Sequence, residues 1–153
     1  MNDKITKEAV SCGIRHIGTG VYSSGKSCSD LQNKGYDEDV SIAAVKELVN
    51  TGYIDDRRAS KKVLFTRSGK KQESRNYILK RLIEAGIATD IADDVVAGLP
   101  DDVDTCKSLF EAGFGAPGKE YSDREVEFIK LAKSRGYDLD TAMKAFRLYL
   151  GSV

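Results

Sequence analysis

The sequence predicts an all-α chain of tandem three-helix repeats, stacked into an elongated, curved array, and three observations lead there. One phrase occurs three times, as LQNKGYDEDVSIAAV at 31–45, LIEAGIATDIADDVV at 82–96 and LAKSRGYDLDTAMKAF at 131–146. Its glycines, Gly35, Gly86 and Gly136, are spaced 51 and 50 residues apart. Apolar residues between them fall at helical spacing, and no segment sustains the period-two alternation of a half-buried strand. Three short helices bury too little to stand alone, so neighbouring repeats must stack.

The elements follow in order. A Ser/Gly-rich stretch, with Ser23 or Ser24 as N-cap, opens a first helix that stops at Gly35, where a left-handed C′ residue is expected and Tyr36 packs back. Val40, Ala44, Val45, Leu48 and Val49 stripe a second helix over 38–50. After Gly52-Tyr53-Ile54, Asp55 caps a third helix through Ala59, Val63 and Leu64. The second repeat ends its first helix at Gly86, and its third runs from about Asp101 through Cys106, Leu109 and Phe110 to Gly113. Ser122 and Glu125 spell a capping box for a helix that stops at Gly136, and Leu139, Met143, Phe146 and Leu150 stripe the last one. That makes about eight helices. The expected divisions are 1–68 (an N-terminal segment with the first repeat), 69–119 (the second) and 120–153 (a third, shortened to two helices), with 113–121 as a flexing linker.

Composition narrows the function classes. The 153 residues are 41% hydrophobic and 31% charged, which suits a soluble globular chain. No apolar run approaches the roughly 18–20 residues of a membrane span, and MNDKITKEAV has no signal-peptide core, so a cytoplasmic location and no membrane contact are expected. Cys12, Cys28 and Cys106 are odd in number and widely spaced, which disfavours a disulfide framework or a cysteine zinc site. His16 is the only histidine, leaving little for a His-based catalytic or metal site. No catalytic residue, cofactor or metal is expected.

The net charge of zero conceals a sequence dipole. Residues 57–81 carry ten Lys and Arg against Glu73 alone, and residues 84–127 carry twelve acids against Lys107, Lys119 and Arg124. The basic block is Arg57, Arg58, Lys61, Lys62, Arg67, Lys70, Lys71, Arg75, Lys80 and Arg81. Arg57, Arg58, Lys61 and Lys62 share one helix face, the footprint expected of a surface for DNA phosphates or an acidic protein. The competing reading is a solvated face neutralised by the acids of 84–127. Asp55-Asp56 reads as a helix N-terminus satisfying backbone donors rather than as a metal site. Tyr36, Tyr53 and Tyr137 offer stacking faces to bases or, more simply, staple helices together.

One motif points elsewhere. Gly20-Val-Tyr-Ser-Ser-Gly25-Lys26-Ser27 satisfies GxxxxGK[ST], in which backbone amides cradle phosphates, the lysine reaches the terminal phosphates and the serine holds Mg²⁺. Its context does not match. The preceding IRHIGT is mixed and polar, the next segment ends at Gly35, and no second Mg²⁺-ligand strand follows.

At Gly52-Tyr53-Ile54-Asp55-Asp56, followed by Arg57-Arg58-Ala59, the chain resembles the RecX regulatory protein family. The likeness extends to Lys34-Gly35-Tyr36, to Leu82–Ile87 with Gly86, and to Arg135-Gly136-Tyr137, covering roughly residues 22–150 in the family's order. It implies tandem three-helix repeats, and a monomer that binds the filament of the RecA recombinase on DNA and inhibits ATP hydrolysis and strand exchange in DNA repair and the SOS response. The basic block would then be the contact surface, with single- or double-stranded DNA as a further partner. The chain departs from the family at Val21–Ser27, where an Arg-x-Ser-x-x-Glu-Leu phrase is usual, which weakens the first helix. A stand-alone basic DNA-binding protein and a phosphate-loop nucleotide binder remain as alternatives.

Overall fold

The computed structural model describes residues 3–151, so Met1, Asn2, Ser152 and Val153, the outer ends of the expected first and third divisions, lie outside it. The described residues form nine α-helices and no strand. These are α1 (Asp3–Ile17), α2 (Ser24–Asn33), α3 (Glu38–Asn50), α4 (Asp56–Thr66), α5 (Arg75–Glu84), α6 (Thr89–Ala97), α7 (Asp102–Phe114), α8 (Glu125–Ser134) and α9 (Leu139–Tyr149). Two 3-10 turns, Gly69–Lys71 and Lys119–Arg124, precede α5 and α8.

Each first helix ends in the same way. Tyr36 N–H donates to Leu31 O, Ile87 N–H to Leu82 O and Tyr137 N–H to Ala132 O, at 3.1–3.2 Å. The glycine just before each donates three residues back, completing a Schellman motif. The phrase that repeats in the sequence is therefore a repeated helix stop.

The helices pack as two compact units whose limits do not follow the repeat phrases. The first contains the residues up to Val63 together with Leu82–Val95. Its core is Ala9, Ile17, Leu31, Ala44, Val45, Leu48 and Ile54, contributed by α1, α2, α3 and the turn before α4. Here the structure departs from expectation, because α1 is a ninth helix that was not foreseen. Its buried stripe is Ala9, Gly13 and Ile17, and it stands ahead of the first repeated phrase. Small size is what lets α1 approach α3: a Cβ on Gly13 would lie 2.7 Å from Leu48 Cδ1.

The second unit contains Leu64–Arg81 and the residues from Val96 onward. Its core is aromatic. Phe128 is fully buried, with Phe114 stacked at 3.9 Å and Phe110, Phe146 and Tyr149 at 4.9–5.0 Å. Three expectations are corrected here. Ser122 lies inside a 3-10 turn and α8 starts at Glu125 with no side-chain cap, so the SDRE capping box does not form. The inward stripe of α9 is Ala142, Ala145, Phe146 and Tyr149, while Leu139 is exposed. The glycine-rich 113–121 stretch is bonded down: Tyr149 Oη donates to the carbonyls of Gly115 and Ala116, and Tyr121 Oη to that of Phe114. No described helix is long and apolar enough to cross a membrane.

Candidate partner-binding surface

The weak first helix, α2, is held by groups distant in sequence. Ser23 is its N-cap, accepting Lys26 N–H at 3.2 Å. Gly25 N–H donates to Gly86 O at 2.8 Å, and Ser23 Oγ donates to Ala85 O at 2.6 Å. The carboxylate of Asp56 accepts from Ser24 N–H (2.7 Å), Ser24 Oγ (2.6 Å) and Ala88 N–H (2.8 Å). Asp55 caps its own helix, accepting from Arg57 N–H and Arg58 N–H at 3.0 and 3.2 Å. The two acids of the GYIDD phrase thus divide the work: one starts α4, and the other joins α2 and α6 to it.

This arrangement removes the phosphate loop. The amides of Ser24, Gly25 and Lys26, which would face a phosphate, are taken by Asp56, Gly86 and Ser23, and a carboxylate already occupies the anion's place at the helix N-terminus. The segment before it is helix α1, where the motif requires a strand.

The second unit repeats part of the design. Ser74 Oγ accepts from Tyr77 N–H at 3.2 Å, Arg75 N–H donates to Asp102 Oδ1 at 2.9 Å, and Ser74 N–H donates to Arg135 O at 3.0 Å. Gly86 and Gly136 play matching parts. A Cβ on Gly86 would lie 2.5 Å from Ser23 Oγ, and one on Gly136 would lie 2.4 Å from the Tyr77 ring and 2.6 Å from Ser74 Oγ. Both also sit in the left-handed region, at φ 84° and 90°. Gly35 shares that conformation, but an added Cβ there meets nothing within 4 Å.

The ten basic residues do not behave alike. In the first unit, Arg57 pairs with Asp94 at 2.6 Å, whereas Arg58, Lys61 and Lys62 are exposed and form no salt bridge among the described residues. In the second, Glu73 is 4% exposed and lies 3.8 Å from Arg67 and 3.1 Å from Arg81. Arg75 is 3.9 Å from Asp101, and its guanidinium donates to the carbonyls of Leu99 and Pro100. Lys80 stands over the Tyr77 ring, 5.2 Å from its centroid. Lys70 and Lys71 are exposed and form no salt bridge among the described residues. The arginines at 57, 67, 75 and 81 therefore have partners within the chain, and Arg58, Lys61, Lys62, Lys70 and Lys71 are exposed with no salt bridge among the described residues.

The three repeat tyrosines also differ. Tyr137 is buried, with Oη 2.7 Å from Thr105 Oγ1, and desolvation pushes its hydroxyl well above the usual tyrosine range. Tyr36 packs against the first core, and Tyr53 is 47% exposed. The residue that charge counting passed over is Phe65, 84% exposed near the end of α4. In the sequence it is one more apolar residue following Val63 and Leu64, with nothing to mark it as exposed. Cys106 is buried and its thiol is pushed up to about 12, first by desolvation and then by Asp102, so it is protonated at neutral pH. Among the described residues no cluster of His, Cys, Asp and Glu could hold a metal.

No family model matches the chain. Among curated proteins, the regulatory protein RecX of Chlorobaculum tepidum is 23% identical over 151 residues, covering 99% of this chain and 94% of that one. That of Clostridium perfringens is 26% identical over 125 residues, covering 78% and 58%, and that of Chlorobium limicola 23% identical over 142 residues, covering 90% and 87%. Among solved structures, the crystal structure of RecX from Lactobacillus salivarius matches with a TM-score of 0.71 at 13% identity, over 97% of this chain and 98% of that one. At that identity the match speaks for the fold alone. The GYIDD phrase, the recurrent glycine stops and these likenesses along most of the chain agree in making it similar to the regulatory proteins RecX.

Proposed function

We propose that this chain is a RecX-like regulator that binds the filament of RecA on DNA and lowers its ATP hydrolysis and strand exchange, acting as a cytoplasmic monomer with no chemistry of its own. The observation that carries the reading is the set of unpaired cations, Arg58, Lys61, Lys62, Lys70 and Lys71, in a chain whose relatives are named regulatory proteins RecX. With four arginines of the basic block taken up in ion pairs, these five of its cations stay exposed and retain positive charge able to meet a polyanion. We further propose that it works as three repeats over 1–68, 69–119 and 120–153.

Direct DNA contact is the second reading, and exposed Phe65 on the helix that carries Lys61 and Lys62 favours it, since bases stack on aromatics while lysines meet phosphates. Binding measured by fluorescence anisotropy separates the two. Filament regulation predicts tighter binding to RecA assembled on labelled single-stranded DNA than to the same DNA bare, weakened by salt and by joint Lys61→Glu and Lys62→Glu substitution. Equal affinity for bare and coated DNA would leave the second reading standing alone.

A further inference from the structure

Within the first unit, a cleft of about 360 Å³ opens beside the start of α2, lined by residues of α4 and of the turn that ends α5. Ser23, Ala59 and Ile87 are its buried lining, and Val21, Tyr22, Val63 and Ala85 supply further, half-exposed surface. Two cations, Lys26 and Lys62, line it as well. Both are exposed, neither forms a salt bridge among the described residues, and no acidic residue lines the cleft. Lys26 is the lysine of the phosphate-loop phrase, and it is the part of that phrase that the fold leaves unused.

The chemistry available is therefore an apolar hollow with two unpaired ammonium groups. A nucleotide is a poor fit, because the amides that would hold its phosphates are bonded to Asp56, Gly86 and Ser23. A stacked base fits little better: Tyr22, the one aromatic residue of the lining, already packs against His16, with ring centroids 5.5 Å apart. A phosphodiester strand would also leave the aliphatic surface uncovered. We propose that the cleft receives a peptide segment of the partner protein in which an Asp or Glu stands beside a large apolar side chain. The apolar group covers Val21, Val63 and Ile87, and the carboxylate pairs with Lys26 and Lys62. Apolar burial supplies affinity and the two charges supply orientation and register. This inference rests on the filament reading, with RecA as the protein that presents the segment.

The test is zero-length carbodiimide coupling, which joins a lysine amine to a carboxylate as an amide. It is applied to the full chain bound to RecA on oligo-dT, and the linked peptides are read by mass spectrometry. Links from Lys26 or Lys62 to an Asp or Glu of RecA within two residues of a Leu, Ile, Val, Met or Phe are expected. Lys26→Gln, which leaves Lys61 and Lys62 in place, is expected to weaken filament binding about tenfold at unchanged thermal stability, the scale of one lost charge-assisted pair. Val21→Ser should weaken it severalfold at high and low salt alike, because the apolar contribution is unscreened. Wild-type binding by the lysine variant, or links from these lysines to no RecA carboxylate, would overturn the cleft assignment while leaving the filament reading intact. Failure of the unsubstituted chain to bind the filament at all would overturn both.

Discussion

Asp56 occupies the first turn of α4, and its carboxylate collects three donors from α2 and from the residue before α6. Hydrogen bonds to a charged, partly buried acceptor contribute more than neutral ones, and their loss strands the donors. Asp56→Ala is expected to lower the unfolding free energy by about 2–4 kcal/mol in urea titrations, with Asp56→Asn falling between the two. A change below about 0.5 kcal/mol, the ordinary scale of a surface substitution, would remove Asp56 from this role. The sequence made the capping chemistry of Asp55-Asp56 legible, because a pair of acids before an amphipathic run suits a helix start. The division between them was not legible, since Asp56's partners Ser24 and Ala88 lie 32 residues away on either side. Asp138 is the simpler case, a local N-cap accepting Thr141 N–H at 2.7 Å. That bond, first among its causes, holds its carboxyl below the ordinary value of 3.8. The cap's contribution is complete above that unfolded value and fades as pH falls through the lower folded one. Asp138→Asn should therefore flatten the acid limb of a pH–stability curve, and an unchanged limb would count against the cap.

Among the elements, the first helices of the repeats and the glycines that end them show how adjacent pieces join. Gly86 stands over the start of α2 and Gly136 over the start of α5, each too close for a Cβ, whereas Gly35 faces open space. Gly35→Ala should cost about 1–2 kcal/mol, the penalty of placing an L side chain at positive φ. Gly86→Ala and Gly136→Ala carry that penalty and an overpacking cost of about 1–3 kcal/mol besides. Equal losses at all three positions, measured by thermal or urea unfolding, would contradict the close approach. The spacing of these glycines was readable from the sequence as periodicity, but their contacts were not, because a glycine at a helix stop looks the same whether or not something packs on it. Helix α1 escaped because it precedes the first repeated phrase, although Ile5, Val10, Ile14 and Ile17 recur at helical spacing. In the second unit the aromatic cluster concentrates stability at Phe128, and Phe128→Ala should cost about 3–5 kcal/mol.

For the molecule as a whole, the charge segregation along the chain resolves into two uses. Some of the basic block is answered internally, as Arg57 by Asp94 and Arg75 by Asp101, acids drawn from the very stretch that balances it in the sequence. Of the rest, Arg58, Lys61, Lys62, Lys70 and Lys71 are exposed and without salt bridges among the described residues, and Lys80 stands over the Tyr77 ring. Counting charges located the block but could not sort it, because pairing depends on which helices meet. Exposed Phe65 was likewise beyond reach, since burial is a property of the packed chain. In the proposed function these cations serve a regulator of the RecA filament. The most direct measurement is ATP hydrolysis by RecA on single-stranded DNA as this protein is titrated in, with a variant carrying Lys61→Glu and Lys62→Glu run alongside. Suppression by the unsubstituted protein is expected below one molecule per RecA protomer, with about tenfold more of the variant needed for the same effect. Hydrolysis that continues unchanged at a molar excess of the unsubstituted protein would contradict it.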